Sequence, residues 1–406
     1  MHRTRTWEMV LPELRVRNRI LPVTGGDGST LSLDFTSGVL DPRFTFTRST
    51  TATFINSNGY VESMGAAASN DPTKARFDYN PTTLTARGLL IEGSSTNELT
   101  NNETFGTGWT DSNITRDSTN NTSPRNDATA LRVTASSANA TIIRSAAIGT
   151  SAQRTLSVWL RRVSGTGNIQ FTTNNGTAWT TQAITSSWVR YTFTATTEAQ
   201  RVGFRIVTSG DSIELWGAQL EAGSGASSYI PTTSSTVQRA VDICTMSDIA
   251  AINYNANGGT LFAHFSNNTE NGNFAGSIAF NNGGNYAQRF RWGSGVLLAS
   301  YFQTNGTSAL GSNLNGSRTS LGSAKAATSY SFDGTTTSTA MSINGAQATT
   351  TPTSSATSGI SIATALGLNN DNSSAGTGYP SIAIRSIKFW PTGLTMAQMN
   401  ALTVNP

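Results

Sequence analysis

The chain has 406 residues, 12% of them charged, and one cysteine, Cys244. That length predicts two or three domains, the abundance of Thr, Ser, Asn and Gly favours strands and turns over helices, and a lone cysteine excludes an intrachain disulfide. The net charge of +4 is spread evenly, with 10 basic and 9 acidic groups in residues 1–95, 10 and 9 in 96–232, and 7 and 5 in 233–406, which excludes a basic domain.

Residues 1 to about 30 predict a short helix around Trp7 to Arg19, interrupted by Pro12, then a turn at Gly25-Gly26-Asp27-Gly28. Arg3, Arg5, Arg15, Arg17 and Arg19 stand against Glu8 and Glu13, which suits a docking arm onto an acidic protein surface and equally an ordinary solvated terminus. Lysine occurs only at Lys74, Lys325 and Lys388, so no phosphate-binding stripe forms and nucleic acid is not an expected partner. From Leu31 the text is strand-like: Phe44, Phe46 and Arg48 alternate with Thr45 and Thr47, Asn58-Gly59 is a hairpin signal, and Asn80-Pro81 marks a turn.

Between about Ser95 and Thr232 seven segments read as strands: ATALRVTA, ATIIRSAA, RTLSVWLRRV, NIQFTTNN, SSWVRYTFTA, QRVGFRIVTS and SIELWGAQL. Their short spacing predicts a sandwich or jelly roll. Leu156, Val158 and Leu160 share one face, with Ser157, Trp159 and Arg161 on the other; Val189, Tyr191 and Phe193 likewise oppose Trp188 and Arg190. Gly223, Ser224, Gly225, Ser227, Ser228 and Pro231 then read as a polar, extended connector, with a new module from near Val237. Within 233–406, GTLFAHF, GSIAFNN, YAQRFRW, VLLASYF, ATSYSFDG, TAMSINGAQ and IRSIKFW predict a second two-sheet sandwich. A short closing helix follows, with Thr395 as N-cap and Leu394, Met396, Met399 and Leu402 toward the sheet.

The phrases LDPRFTFTRSTTATFINSNGYVE, ARFDYNPTTLTARGLLIEGSSTNEL and WGAQLEAGSGASSYIPT resemble a modular family of tailed-bacteriophage virion proteins, found as tail fibres and other surface appendages. The resemblance runs from about Leu31 over nearly the whole remaining chain. It implies a mostly β protein with three parts: an N-terminal virion-attachment region (1–94), a carbohydrate-binding-module-like jelly roll (95–232) and a concanavalin-A-like, LamG-like sandwich (233–406). The SINGAQ hairpin and the IRSIKFWP strand carry the last likeness. It also implies a homotrimer on the phage particle, other virion proteins as partners of the N-terminal region, and host surface polysaccharide as ligand. A head fibre, capsid decoration or tail adaptor with a purely structural role is the alternative. The start MHRTRTWEMV lacks the apolar core of a signal peptide and no apolar run approaches membrane-spanning length, which fits assembly into a particle released by lysis.

Sugar binding needs rings for pyranose faces and planar polar groups for hydroxyls, and Trp159, Arg161, Trp179, Arg190 and Arg205 are the candidates. Trp159 and Trp188 read more readily as sandwich core or interface residues, and Trp109 reads as a core plug. Jelly rolls of the resembling kind often hold a structural calcium where first and last strands meet; Glu92, Glu98 and Glu221 lie near those ends, without a dense Asp-x-Asn-x-Asp loop, and no other cofactor or metal is expected. No enzyme is expected either. The carboxylates of the last module, Asp242, Asp248, Glu270, Asp333 and Asp371, are unpaired at strand spacing, and Asp211 and Glu214 are isolated. The histidines, His2 and His264, do not make a triad or a zinc site, and His264 reads as a strand residue.

Overall fold

A computed structural model describes residues 26–406, apart from 118–120, 147, 149–151, 198–200, 268–275, 283–284, 293–296, 305–307, 316–322, 336, 348–362, 369–380 and 405–406. The protein is mostly β: strands make up about half of the described residues, and Met396–Thr403 is the one α-helix among them. The arginine arm (Arg3, Arg5, Arg15, Arg17, Arg19) and the helix expected around Trp7 to Arg19 lie outside the described residues.

The two ends of the chain build one sandwich together. Its first sheet runs Ala346–Gln347, Thr337–Ile343, Ala324–Phe332, Gly258–Asn267, Ile382–Trp390, Ala86–Ile91, Arg76–Tyr79, and Leu31–Asp34 also pairs with Ile382–Trp390. That last strand therefore carries two N-terminal strands end to end on one edge, with Leu31 opposite Phe389 and Ile91 opposite Ile382. The second sheet runs Phe44–Thr47, Ile243–Met246, Ala365–Leu368, Gly276–Asn282, Asn285–Trp292, Leu297–Thr304, Ser308–Asn315. Alternate residues Leu31, Leu33, Phe44 and Phe46 turn inward and join Leu89, Leu261, Phe280 and Phe389 in one core. The expected separation of 1–94 from 233–406 does not describe these sheets, because four-residue strands cannot close a core alone and are completed by C-terminal partners.

The intervening segment is inserted into this sandwich as a second one. Its sheets run Val189–Thr197, Ala152–Ser164, Ser212–Ala222, Leu131–Ala135, Ile114–Arg116, and Thr180–Gln182, Ile169–Thr172, Gly203–Ile206, Ala140–Arg144, Trp109–Ser112. All seven strands expected from alternation are present. Leu156, Val158 and Leu160 enter its core, where Trp109 packs 5.1 Å from Phe105 and 6.1 Å from Phe204 as a plug.

Insertion and host meet at a neck, where Ser95–Asn97 pairs with Val237–Arg239. The Gly/Ser-rich connector is not extended in solvent: Tyr229, Ile230 and Thr232 are buried. Side chains take the place of a strand partner for its main chain. The Ile230 N–H donates to Gln219 Oε1 (2.6 Å), its carbonyl accepts from Asn97 and Asn102 Nδ2 (2.9 and 3.1 Å), and the Thr232 N–H donates to Asn102 Oδ1 (3.0 Å).

Beside the neck lies a buried ionic cluster. Arg76 donates to Glu92 Oε2 (2.7 Å) and Asp242 Oδ2 (2.5 Å), Arg48 donates to Asp242 Oδ1 (3.0 Å), and Arg239 donates to Glu92 Oε2 (2.7 Å). The Ser228 hydroxyl and amide also donate to Glu92, at 2.6 and 2.8 Å. Burial alone would raise the Glu92 carboxyl, but Arg239, Arg76 and Ser228 hold it at about 2.

The C-terminal helix forms as expected. Thr395 caps it in a box with Gln398, and Leu394, Met396, Met399 and Leu402 pack with Phe262 and Trp390 on the outer face of the first sheet.

Candidate functional site

A cleft of about 760 Å³ opens where the N-terminal hairpin Ala52–Ile55/Val61–Met64 packs against the inserted sandwich. The hairpin tip is fixed locally. Gly59 turns with φ +82°, Asn56 Oδ1 accepts from the Asn58 and Tyr60 amides (both 3.0 Å), and a Cβ on Gly59 would stand 2.7 Å from the Pro81 carbonyl oxygen. Tyr60, 39% exposed, is thereby presented at the cleft. The same wall holds Asp78 and Arg87. Asp78 Oδ1 accepts the Ile55 N–H (2.8 Å) and Oδ2 lies 3.3 Å from Arg87 Nη1. Burial raises the Asp78 carboxyl pKa against the pull of the Ile55 amide and Arg87.

Strand alternation sets the opposite wall, because with Val158 and Leu160 in the core, Trp159 and Arg161 must turn to the other face. Trp159 is only 6% exposed: the Arg190 guanidinium lies 4.5 Å over its ring, and Trp216 and Tyr229 meet it edge-on at 5.2 and 5.5 Å. Trp159 thus serves the interface and lines the cleft without offering an open stacking face, and partly exposed Trp188 is the more available ring. Gly217, at φ +64°, makes this packing feasible, since its missing Cβ would sit 3.0 Å from the Tyr229 ring and 3.1 Å from Trp159.

Arg161 and Arg190 differ in what they leave free. Arg190 donates Nη1 to the Ser227 carbonyl (2.6 Å) and Nη2 to Ser157 Oγ (2.9 Å), while its Nε is buried without a partner, and burial lowers its pKa. Arg161 gives its Nε to Glu214 Oε2, and its guanidinium lies 4.9 Å over the Trp188 ring. Glu214 is fully buried and also accepts from Arg132 Nη2 at 2.6 Å.

Trp179 and Arg205 belong to the other sheet and do not join this cleft. There the Arg205 guanidinium lies 4.3 Å over Trp179 and its Nε donates to Gln170 Oε1 at 2.6 Å. Gln170, Arg205, Thr141 and Ser112 are register partners across four strands of this sheet.

The carboxylates proposed for calcium are engaged separately and do not fit a shared ion. Glu92 belongs to the arginine cluster, Glu98 accepts from Arg154 Nε (2.6 Å), and Glu221 accepts from Ser95 Oγ (2.6 Å). Among the described residues no group of three His, Cys, Asp or Glu side chains is placed to hold a metal. Asp211 takes Arg162 Nη1 (3.2 Å) and the Gly167 amide (2.7 Å). His264 lies on strand Gly258–Asn267 with Nε2 2.9 Å from Ser323 Oγ, and burial with Arg385 and Lys325 nearby lowers its pKa to about 4.

Sequence reasoning missed Tyr60, Asp78 and Arg87, because their segment read as an attachment region. The signal available was Tyr60 directly after Asn58-Gly59, an aromatic residue set at a hairpin tip.

No protein-family model matches the chain, and no curated protein matches it. Among solved structures, it is similar to the CBM40 module of a Ruminococcus gnavus IT-sialidase bound to α2,3-sialyllactose, at 16% identity and a TM-score of 0.29, covering 38% of this chain and 86% of that one. The same module bound to α2,6-sialyllactose matches at 15% identity and a TM-score of 0.28, with the same coverage. Likeness at that level carries no argument about fold or function.

Proposed function

We propose that the protein is a non-catalytic glycan-binding component of a bacteriophage virion, a tail fibre or receptor-binding protein that attaches to polysaccharide on the host surface. The observation that carries the reading is the cleft. Its volume of about 760 Å³ lies in the range of ligand sites, and it combines rings (Tyr60, Trp188) with guanidiniums (Arg87, Arg161) and hydroxyl or amide groups. The virion assignment is supported by the three long phrases that resemble phage appendage proteins. A homotrimer on the particle surface follows from the same resemblance, and display in several copies would raise a weak single-site affinity.

A structural role, as head fibre, capsid decoration or tail adaptor, is favoured by one observation: Trp159, Trp216 and Tyr229 are spent on an internal interface. A glycan array with the purified oligomer, together with competition between the protein and virions for host cells, separates the two. Binding and competition are expected; absence of both would leave the structural role.

A further inference from the structure

The cleft carries more than a generic sugar site, because its charge is unbalanced. Among the described residues, three guanidiniums line it, from Arg87, Arg161 and Arg190, against the single carboxyl of Asp78. Arg190 is committed to Ser227 and Ser157. Arg161 and Arg87 are not buried to that extent, with side chains 30% and 33% exposed.

Arg161 is held in a particular way. Glu214, directly opposite on the neighbouring strand, takes its Nε, and the Trp188 ring lies under its guanidinium plane. A guanidinium anchored through Nε keeps its two terminal nitrogens for another acceptor, and their planar fork matches the two oxygens of a carboxylate. Glu214 is fully buried and shared with Arg132, so it fixes Arg161 without placing its own charge on the cleft surface. Around these cations the lining is neutral and hydroxyl-rich, with Asn58, Thr82, Ser187 and Thr192. That mixture suits one anionic group on a polyhydroxylated body better than a polyanion such as nucleic acid, which calls for a continuous basic stripe.

We infer that the cleft selects acidic saccharides, with Arg161 and Arg87 receiving the sugar carboxylate and Trp188 and Tyr60 contacting its ring faces. The inference rests on the glycan-binding reading above and names its ligand class. Asp78 opposes it: the carboxyl sits beside Arg87 and competes with the ligand for that cation.

The test uses the full chain and paired probes: oligogalacturonate, hyaluronan oligosaccharides and oligosialic acid, each beside its carboxyl-reduced, neutral counterpart, measured by calorimetry at low and high salt. At least one acidic probe is expected to bind, with carboxyl reduction weakening it at least tenfold and added salt weakening it further. Arg161→Gln is expected to cause a loss of similar size. Arg87→Gln is made together with Asp78→Asn as a second variant, so that no buried carboxyl is left without its counter-charge, and a several-fold loss relative to Asp78→Asn alone is expected. Asp78→Asn keeps an acceptor for the Ile55 amide and is expected to raise affinity several-fold. Equal binding of acidic and reduced probes, binding of neutral probes only, or acidic binding indifferent to Arg161, Arg87 and Asp78 would overturn the acidic-sugar inference while leaving glycan binding intact. Binding of no probe, acidic or neutral, together with a blank glycan array would overturn both.

Discussion

Arg76 and Asp242, 166 positions apart in sequence, form an ion pair with Nη2 and Oδ2 2.5 Å apart and neither side chain open to solvent. Asp242 also accepts from Arg48 and from the Glu92 amide, and Glu92 in turn binds Arg76, Arg239 and Ser228. The cluster thereby ties the N-terminal strands, the connector leaving the insertion and the chain re-entering the host sandwich. Buried charges add little net stability when complete, but a missing partner leaves a desolvated charge behind.

Asp242→Asn should therefore destabilise the fold by about 3–5 kcal/mol, since Arg48 and Arg76 lose their shared counter-charge. Asp41→Asn, which breaks the partly exposed pair with Arg43, should cost no more than about 1 kcal/mol. Urea unfolding of the two variants beside the parent checks this, and comparable small losses would show that the cluster does not hold the neck.

Acidification should lower stability in two stages. His264 has its pKa lowered to about 4 from an ordinary 6.5, by burial first and then by Arg385 and Lys325. The unfolded chain protonates this residue first, so the stability present above pH 6.5 is lost as pH falls toward 4. Glu92, at about 2 against an ordinary 4.5, contributes stability that is present above pH 4.5 and lost as pH falls toward 2. Urea midpoints from pH 7.5 to 2.5 should fall on balance, with buried Asp78, whose carboxyl pKa is raised, opposing the fall, and His264→Gln should flatten the upper stage. A midpoint that rises on acidification between pH 6.5 and 4 would contradict the assignment.

Much of the fold was legible because period-two alternation survives wherever one face of a strand meets a core, as in Leu156-Val158-Leu160 and Phe44-Phe46. What alternation cannot supply is the partner. Nothing local in LSLDF says that Leu31 will lie opposite Phe389, so the N-terminal strands read as a separate region. The connector misled for another reason: Gly and Ser mark loops by their backbone freedom, while the burial of Tyr229 and Ile230 depends on the distant Asn97, Asn102 and Gln219. At the site, outward-facing Arg161, Arg190 and Trp159 were readable on their strands. That a hairpin would cover Trp159 and contribute Tyr60, and that strand Ala86–Ile91 would bring Arg87 to the same cleft, was a tertiary fact.

Gly88 tests whether the two ends of the chain form one sandwich. It has φ +101°, and a Cβ there would stand 2.1 Å from the Ile384 carbonyl oxygen on the C-terminal strand. Gly88→Ala must move one backbone or the other, at a cost of roughly 2–4 kcal/mol from strain and overpacking together. Gly210→Ala, also at positive φ (+84°) but with nothing near its Cβ, carries the conformational cost alone. A similar thermal shift for both would mean that the close approach to Ile384 is absent in solution.

On the acidic-saccharide inference Glu214 positions Arg161, and its replacement separates geometry from charge. Its two oxygens accept from Arg132 on one side and Arg161 on the other, and neither is open to solvent. Glu214→Gln preserves shape but presents an amide N–H₂ to one guanidinium, a donor facing a donor, and removes the charge that both arginines share. Losing a buried charge-assisted hydrogen bond should cost about 1.5–3 kcal/mol of stability. A purely structural role would end there. If Glu214 aims Arg161 into the cleft, the folded variant, assayed well below its unfolding midpoint, should also lose preference for acidic over carboxyl-reduced oligosaccharides, with neutral binding unchanged. Reduced stability with an unaltered acidic-to-neutral ratio would assign Glu214 to the fold alone.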